Sequence, residues 1–239
     1  MENERSPRFD RCQRCQRCTM RTVLCLCPEF PDFSAVTTQL VLIIHYKELL
    51  TTTNTGRLAA AAWPHGKMIV RGLRKELNPA ADTEPLSDLV SPSRQPLLLF
   101  PSPESVELTP EWASQFDRPF TLIVPDGSWR QAKRIGRREP TLAGIPHVKL
   151  TAGAPSKYHL RNEPNLESVC TIEAIARAMG VLEGPAVQSA LEDLFQKMVD
   201  RHLWGRGIKS KKECLGGIPE AAVQAALKSG NRNRNGNPN

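Results

Sequence analysis

The chain has 239 residues, with 32 Lys and Arg against 25 Asp and Glu for a formal net charge of +7, and 40% of it is hydrophobic. That length carries one sizeable core with a small appendage, and no apolar run reaches the roughly 20 residues of a membrane helix. The positive balance favours a polyanionic partner, and the charged segment Met1–Arg11 lacks the apolar stretch of a secretory signal, so a cytoplasmic protein with no membrane association is expected.

From the N-terminus, Arg5, Arg8, Arg11, Arg14, Arg17 and Arg21 crowd around Cys15-x-x-Cys18 and Cys25-x-Cys27. In a reducing compartment clustered cysteines are metal ligands more often than disulfides, and four thiolates close a tetrahedral zinc site with no open position. Such a site is structural, because metal binding folds a segment too small to hold a core. Cys12 is a competing ligand, Cys-x-Cys is a tighter chelate than Cys-x-x-Cys, and an iron–sulfur cluster or free thiols are the other readings. Pro28 and Pro31 close the module, which sets a boundary near Phe33 between residues 1–33 and a main domain of residues 34–228. The isolated Cys170 and Cys214 read as small buried hydrophobes.

Beyond the boundary, apolar runs alternate with helical patterns. Strands are predicted at Leu40–Tyr46, Lys67–Val70, Leu97–Phe100, Phe120–Val124 and His147–Leu150. Helices are predicted at Arg57–Trp63, Ser128–Arg138, Thr171–Leu182 and Ala186–Trp204. Pro79–Pro96 reads as a loop and the Asn/Arg/Gly-rich Ser229–Asn239 as a disordered tail. This alternation predicts an α/β fold, a mostly parallel sheet flanked by helices.

Candidate chemistry falls at the ends of these strands. His45-x-x-Glu48 has no second histidine to complete a hydrolytic zinc site. Thr53-Asn54-Thr55-Gly56-Arg57 offers small polar side chains and a glycine, as a helix cap or a surface for close ligand approach. Asp126-Gly127-Ser128-Trp129 follows Val124-Pro125 where a buried strand gives way to a helix, and ligands dock at such turns in open α/β folds. Asp126 reads as a functional acid or a turn residue, and Trp129 as a ligand platform or core. Ser128 is placed to cap the helix, on which Arg130, Lys133, Arg134, Arg137 and Arg138 form a cationic stripe suited to phosphates or to solvent. Tyr158-x-x-Arg161 offers a phenol and a guanidinium, and Glu173 stands early in a helix, where capping already favours an acid.

Taken in order, Cys15-x-x-Cys18 with Cys25-x-Cys27, His45-x-x-Glu48, Thr53-Asn54-Thr55-Gly56-Arg57-Leu58, Asp126-Gly127-Ser128-Trp129, Tyr158-x-x-Arg161 and Thr171-x-Glu173-Ala174 resemble the DTW-domain proteins, the tRNA-uridine aminocarboxypropyltransferases. The resemblance runs from about Cys15 to Trp204. Tyr46 replaces a proline, Ser128 a threonine and Cys170 a serine of the family pattern. The resemblance implies a fold related to the SPOUT methyltransferases, often threaded as a trefoil knot. It also implies transfer of the 3-amino-3-carboxypropyl group of S-adenosylmethionine to N3 of a tRNA uridine. Asp126, Ser128 and Trp129 are then the catalytic candidates, with Asp126 either the base for N3–H or an anchor for the cofactor. Asn54, Thr55, Gly56, Pro101, Ser102, Pro125, Tyr158, Arg161, Thr171 and Glu173 are the cofactor candidates; Arg130, Lys133, Arg134 and Arg137 are the RNA candidates. A SPOUT-like RNA methyltransferase and a non-catalytic zinc-ribbon RNA-binding protein are the alternative readings.

Overall fold

A computed structural model of the chain describes residues 13–64, 66–72, 86, 91–151, 153, 156 and 169–232. Strands β1 (Gln39–His45), β2 (Lys67–Arg71), β3 (Gln95–Leu99), β4 (Val106–Glu107), β5 (Phe120–Asp126) and β6 (His147–Lys149) form one sheet in the order β2-β1-β5-β3-β6-β4. Every pairing is parallel. The helices are α1 (Thr55–Ala62), α2 (Pro110–Ala113), α3 (Trp129–Arg138), α4 (Thr171–Glu183), α5 (Pro185–Gly205) and α6 (Glu220–Arg232).

A parallel sheet covered on both faces needs strands that are apolar throughout, and β1 and β5 meet that demand. Leu40, Leu42 and Ile44 of β1 enter the larger core with α1, α4 and α5, while Val41 and Ile43 pack with Ile135 of α3 on the other face. Side chains alternate along a strand, so one uninterrupted run of five buried residues fills two cores. Helices α4 and α5 join as a hairpin at Gly184, whose φ of +105° falls in a region that favours glycine, and Pro185 opens α5 at a position that needs no N–H.

The predicted strands and helices are present with shifted ends. α1 begins at Thr55, two residues before the expected Arg57, because Asn54 caps it. β3 begins at Gln95, inside the expected loop, and β5 runs on through Pro125 to Asp126. Pro125 lies two residues past the last β3 rung, Leu98 opposite Ile123, where the ladder on that side has ended. The remainder of the Pro79–Pro96 loop falls largely outside the described residues. Three elements were not expected: β4, two exposed residues at the sheet edge; α2, a single turn; and α6. Helix α6 occupies residues 229–232, the first part of the predicted tail; residues 233–239 lie outside the described residues.

Candidate active site

In an all-parallel sheet every strand ends on the same edge, and the chemistry-bearing residues gather there. Asp126 ends β5, the strand paired with both β1 and β3. Only 4% of it is exposed. Asn54 Nδ2 donates to its Oδ2 at 2.7 Å, and Thr171 Oγ1 donates to its Oδ1 at 2.5 Å.

The two donors come from helix N-termini. Asn54 caps α1 by accepting the Arg57 N–H at 2.8 Å, which fixes the amide so that its NH2 faces Asp126 and, at 3.4 Å, Glu48 Oε2. Thr171 is the first residue of α4, and the Ile172 N–H donates to Thr55 Oγ1 at 3.4 Å, which locks the two N-termini together. Their dipoles favour a negative charge between them. Gly56 makes this approach possible: a Cβ there would lie 3.0 Å from Leu42 Cδ1, 3.1 Å from Thr171 Cγ2 and 3.2 Å from Asp126 Cγ. Arg57 also donates to the Leu49 carbonyl at 2.8 Å, holding the turn Tyr46–Leu50 that returns the chain from β1.

Ser128 caps α3 in a reciprocal box, its N–H donating to Gln131 Oε1 at 2.8 Å and its Oγ accepting the Gln131 N–H at 3.4 Å. Its hydroxyl accepts in this cap, a role that does not use its own O–H. Trp129, the next residue, is 52% exposed, with its ring centroid 5.9 Å from that of Phe100 at the end of β3. Pro101 and Ser102 follow Phe100 on the same edge but turn toward β6, where Ser102 Oγ shares a hydrogen bond of 3.1 Å with His147 Nδ1. Glu173 is buried and accepts the Cys170 N–H at 2.9 Å and the Ser156 hydroxyl at 2.6 Å, so it organises the entry to α4. Tyr158 and Arg161 lie outside the described residues. Of the cofactor candidates, the structure thus brings Asn54, Thr55, Gly56, Pro125 and Thr171 around Asp126. Glu48, through its bond to Asn54, is a member that the sequence reading missed as an Asp126 neighbour.

The four cysteines form a second centre. Their Sγ atoms all lie within 4.8 Å of one another, with Cys15 and Cys27 at 3.5 Å and Cys18 and Cys25 at 3.6 Å. Tetrahedral bonds of about 2.3 Å to zinc would set sulfurs about 3.8 Å apart, so the cluster is ready for a four-coordinate ion. The Cys18 N–H draws the Cys15 thiol down to about 6, whereas burial pushes Cys25 and Cys27 up. Four sulfurs gathered this closely are an arrangement that a cation would complete. Cys12 lies outside the described residues. Cys170 and Cys214 are buried away from the cluster, as expected, and Cys214 donates to the Ser210 carbonyl at 3.2 Å.

The cationic stripe on α3 stands in solvent: Arg130, Lys133, Arg134, Arg137 and Arg138 are exposed, while Ala132 and Ile135 face the core.

A profile of the DTW domain matches residues 12–203. The tRNA-uridine aminocarboxypropyltransferase 2 of Drosophila melanogaster is 34% identical over 164 residues, 67% of this chain and 63% of the relative. The proteins of that name from Macaca fascicularis and Mus musculus are each 29% identical, over 75% and 89% of this chain and 58% and 69% of their own lengths. The chain thus matches less than two thirds of the fly and macaque relatives. No solved structure gives a significant match. With the motif residues assembled around Asp126 and the profile covering most of its length, the chain belongs to the DTW-domain family.

Proposed function

We propose that the chain transfers the 3-amino-3-carboxypropyl group of S-adenosylmethionine to N3 of a tRNA uridine, releasing methylthioadenosine. The observation that carries this reading is the buried Asp126 carboxylate, locked between Asn54 and Thr171 at the C-terminal end of a central strand. The names of the three relatives support it. The donor supplies an electrophilic carbon beside a sulfonium; the residues supply alignment and a proton acceptor. Asp126 accepts the uridine N3 proton, a role worth about 10²–10⁴ in rate. Trp129 stacks on the splayed base, and Asn54, Gly56 and Thr171 wall the donor, with Ser102, Tyr158 and Arg161 assigned to its outer parts. Fixed near-attack geometry contributes roughly 7–11 kcal/mol to such a reaction.

The cysteine centre is proposed to hold structural zinc, and the protein to work in the reducing cytoplasm. Kinship with the SPOUT fold, including a knotted C-terminal region, is supported by the strand order, in which β5 inserts between β1 and β3 and β6 between β3 and β4, strands laid down earlier.

Asp126→Asn tests the function. Unmodified tRNA is incubated with protein and S-adenosylmethionine and its nucleosides are weighed. The unaltered chain is expected to add one aminocarboxypropyl group to uridine; addition of a methyl group instead would make it a methyltransferase. The Asn variant is expected to lose transfer while keeping tRNA and donor affinity. If calorimetry shows donor affinity falling with it, Asp126 is the donor's anchor and the base assignment fails; near-normal turnover removes both roles.

A further inference from the structure

Among the described residues every Phe and Tyr, and every Trp but one, is buried or half-buried. Trp129 is the exception, 52% exposed and three residues past Asp126. The capping box at Ser128 fixes the backbone of the first turn of α3, yet a backbone cap leaves the side-chain torsions of Trp129 undetermined. What the indole rests on then sets where it points, and it rests on Phe100, with ring centroids 5.9 Å apart and planes inclined at 58°. Tilted pairs with centroids about 4.5–7 Å apart are favoured because the positive edge of one ring meets the negative face of the other. Phe100 is itself set by the sheet. Pro101 biases the residue before it to extended backbone, and the Phe100 N–H donates to the Leu98 and Val148 carbonyls at 3.0 Å each. Its side chain packs against the smaller core, to which Leu98 of β3 and Ile135 of α3 belong, so one core holds both the prop and the helix that carries the indole.

We propose that Phe100 is a positioning residue for base recognition: its ring props the Trp129 indole in the orientation that stacks on the target uracil beside Asp126. The inference rests on the reading of the chain as a tRNA-modifying enzyme. Phe100 touches none of the reacting atoms in this role and acts through Trp129. Three features distinguish the pair from ordinary packing. First, a core aromatic is covered, whereas this pair has the core on the Phe100 side and solvent over Trp129. Second, a propped indole loses little rotamer freedom when a base stacks on it, while an unpropped one loses that freedom on binding. Third, β3 and β5 are paired neighbours, so the prop and the carboxylate come from adjacent strand ends. Stacking accepts any base, so the platform holds the splayed nucleotide and leaves selection of the N3–H to Asp126.

The test uses the full chain, labelled with 5-fluorotryptophan for fluorine NMR. The chain has 4 tryptophans, and Trp129→Phe assigns the signal of residue 129. In the unaltered protein that signal is expected to be one narrow line that shifts as tRNA is added. Phe100→Leu keeps an apolar side chain against the core and removes the ring. It is expected to broaden or split the line, to weaken tRNA binding and lower kcat/KM for tRNA roughly fivefold, and to leave S-adenosylmethionine affinity unchanged. Phe100→Tyr keeps the ring and is expected to behave as the unaltered protein does. Trp129→Leu removes the platform, with an expected loss of roughly five- to hundredfold, and adding Phe100→Leu to it is expected to cost nothing more, since the prop then has nothing to hold. If Phe100→Leu does not fold, Phe100→Met, which fills the volume with an unbranched chain, takes its place in the same comparison. Unchanged tRNA binding and turnover in the variant without the ring overturn the proposal, as does a further loss in the double variant, which would give Phe100 a contact of its own. A Trp129 line that tRNA does not move also overturns it. Absence of transfer by an unaltered chain whose Trp129 line responds to tRNA would overturn the functional reading instead, while the binding comparison still decides the role of Phe100.

Discussion

Asp126 draws its position from Gly56 as much as from its two hydrogen-bond donors. A methyl group at residue 56 meets Thr171 Cγ2 at 3.1 Å and Asp126 Cγ at 3.2 Å, so the carboxylate and its partner must give by a few tenths of an ångström. Alanine favours helix over glycine by about 1 kcal/mol, which offsets part of that strain. Gly56→Ala is therefore expected to change the melting temperature little and to lower kcat about tenfold or more, since small misplacements of a reacting group are amplified in rate. Equal kcat in the two proteins would show that the carboxylate has slack. His202 gives a pH signature in the same way. Burial and three arginines hold it at about 4 against 6.5 for an ordinary imidazole, so the unfolded chain binds the extra proton between those values. Stability is then complete above pH 6.5 and is lost as the pH falls toward 4, by about 3 kcal/mol at most. His202→Gln should flatten denaturant-derived stability over that window alone.

Helix α3 works on two faces. Ala132 and Ile135 seat it on the sheet, and the capping box at Ser128 and Gln131 fixes its first turn beside Asp126. Five cations are left on the solvent face, several of them pointing the same way within about 12 Å of helix. Replacing Lys133, Arg134 and Arg137 by Gln is expected to weaken tRNA binding and flatten its salt slope by roughly 0.7–0.9 log units per lost phosphate contact, with donor affinity unchanged. An unaltered slope would make the stripe ordinary solvated surface. Elements like this were legible in the sequence because burial writes a period: β1 and β5 are apolar on both faces, and α3 alternates core and charge. β4 and α2 carry too few residues for a period to appear, and α6 has small apolar residues in an otherwise polar stretch. Asp126 was legible as an acid at the end of a strand, but its partners stand 72 and 45 residues away, and no local pattern brings Asn54 and Thr171 onto one carboxylate.

Across the whole molecule, the cysteine module is bolted to α1, α5 and the loop before α1 through side chains that only a folded module can place. Arg17 donates twice to the Ala61 carbonyl of α1, at 3.1 and 2.9 Å, with its guanidinium 4.8 Å over the Phe30 ring. Arg201 of α5 reaches into the module for Glu29 and for two carbonyls, and Lys197 joins Glu29 at 3.2 Å. Burial alone would raise the Glu29 carboxyl, but its bonds to Arg201 and Lys197 prevail and hold it below its usual range. The Thr19 hydroxyl donates to the Thr52 carbonyl at 3.4 Å, on the loop that leads to Asn54. If the four thiols hold the proposed zinc, its loss would release these contacts together and leave Arg201 buried without its carboxylate, at a cost of about 3–5 kcal/mol. For a domain of this size that lowers the melting temperature on the order of 10 °C. Purified without chelator, the protein is expected to carry close to one zinc per chain. Stripping it, or Cys15→Ser or Cys25→Ser, should produce that fall, slow transfer and weaken tRNA binding, and added zinc should restore the stripped protein but neither variant. A stripped chain that melts where the loaded one does would show that the module stays docked by its arginines alone, and that the thiol cluster carries no structural ion.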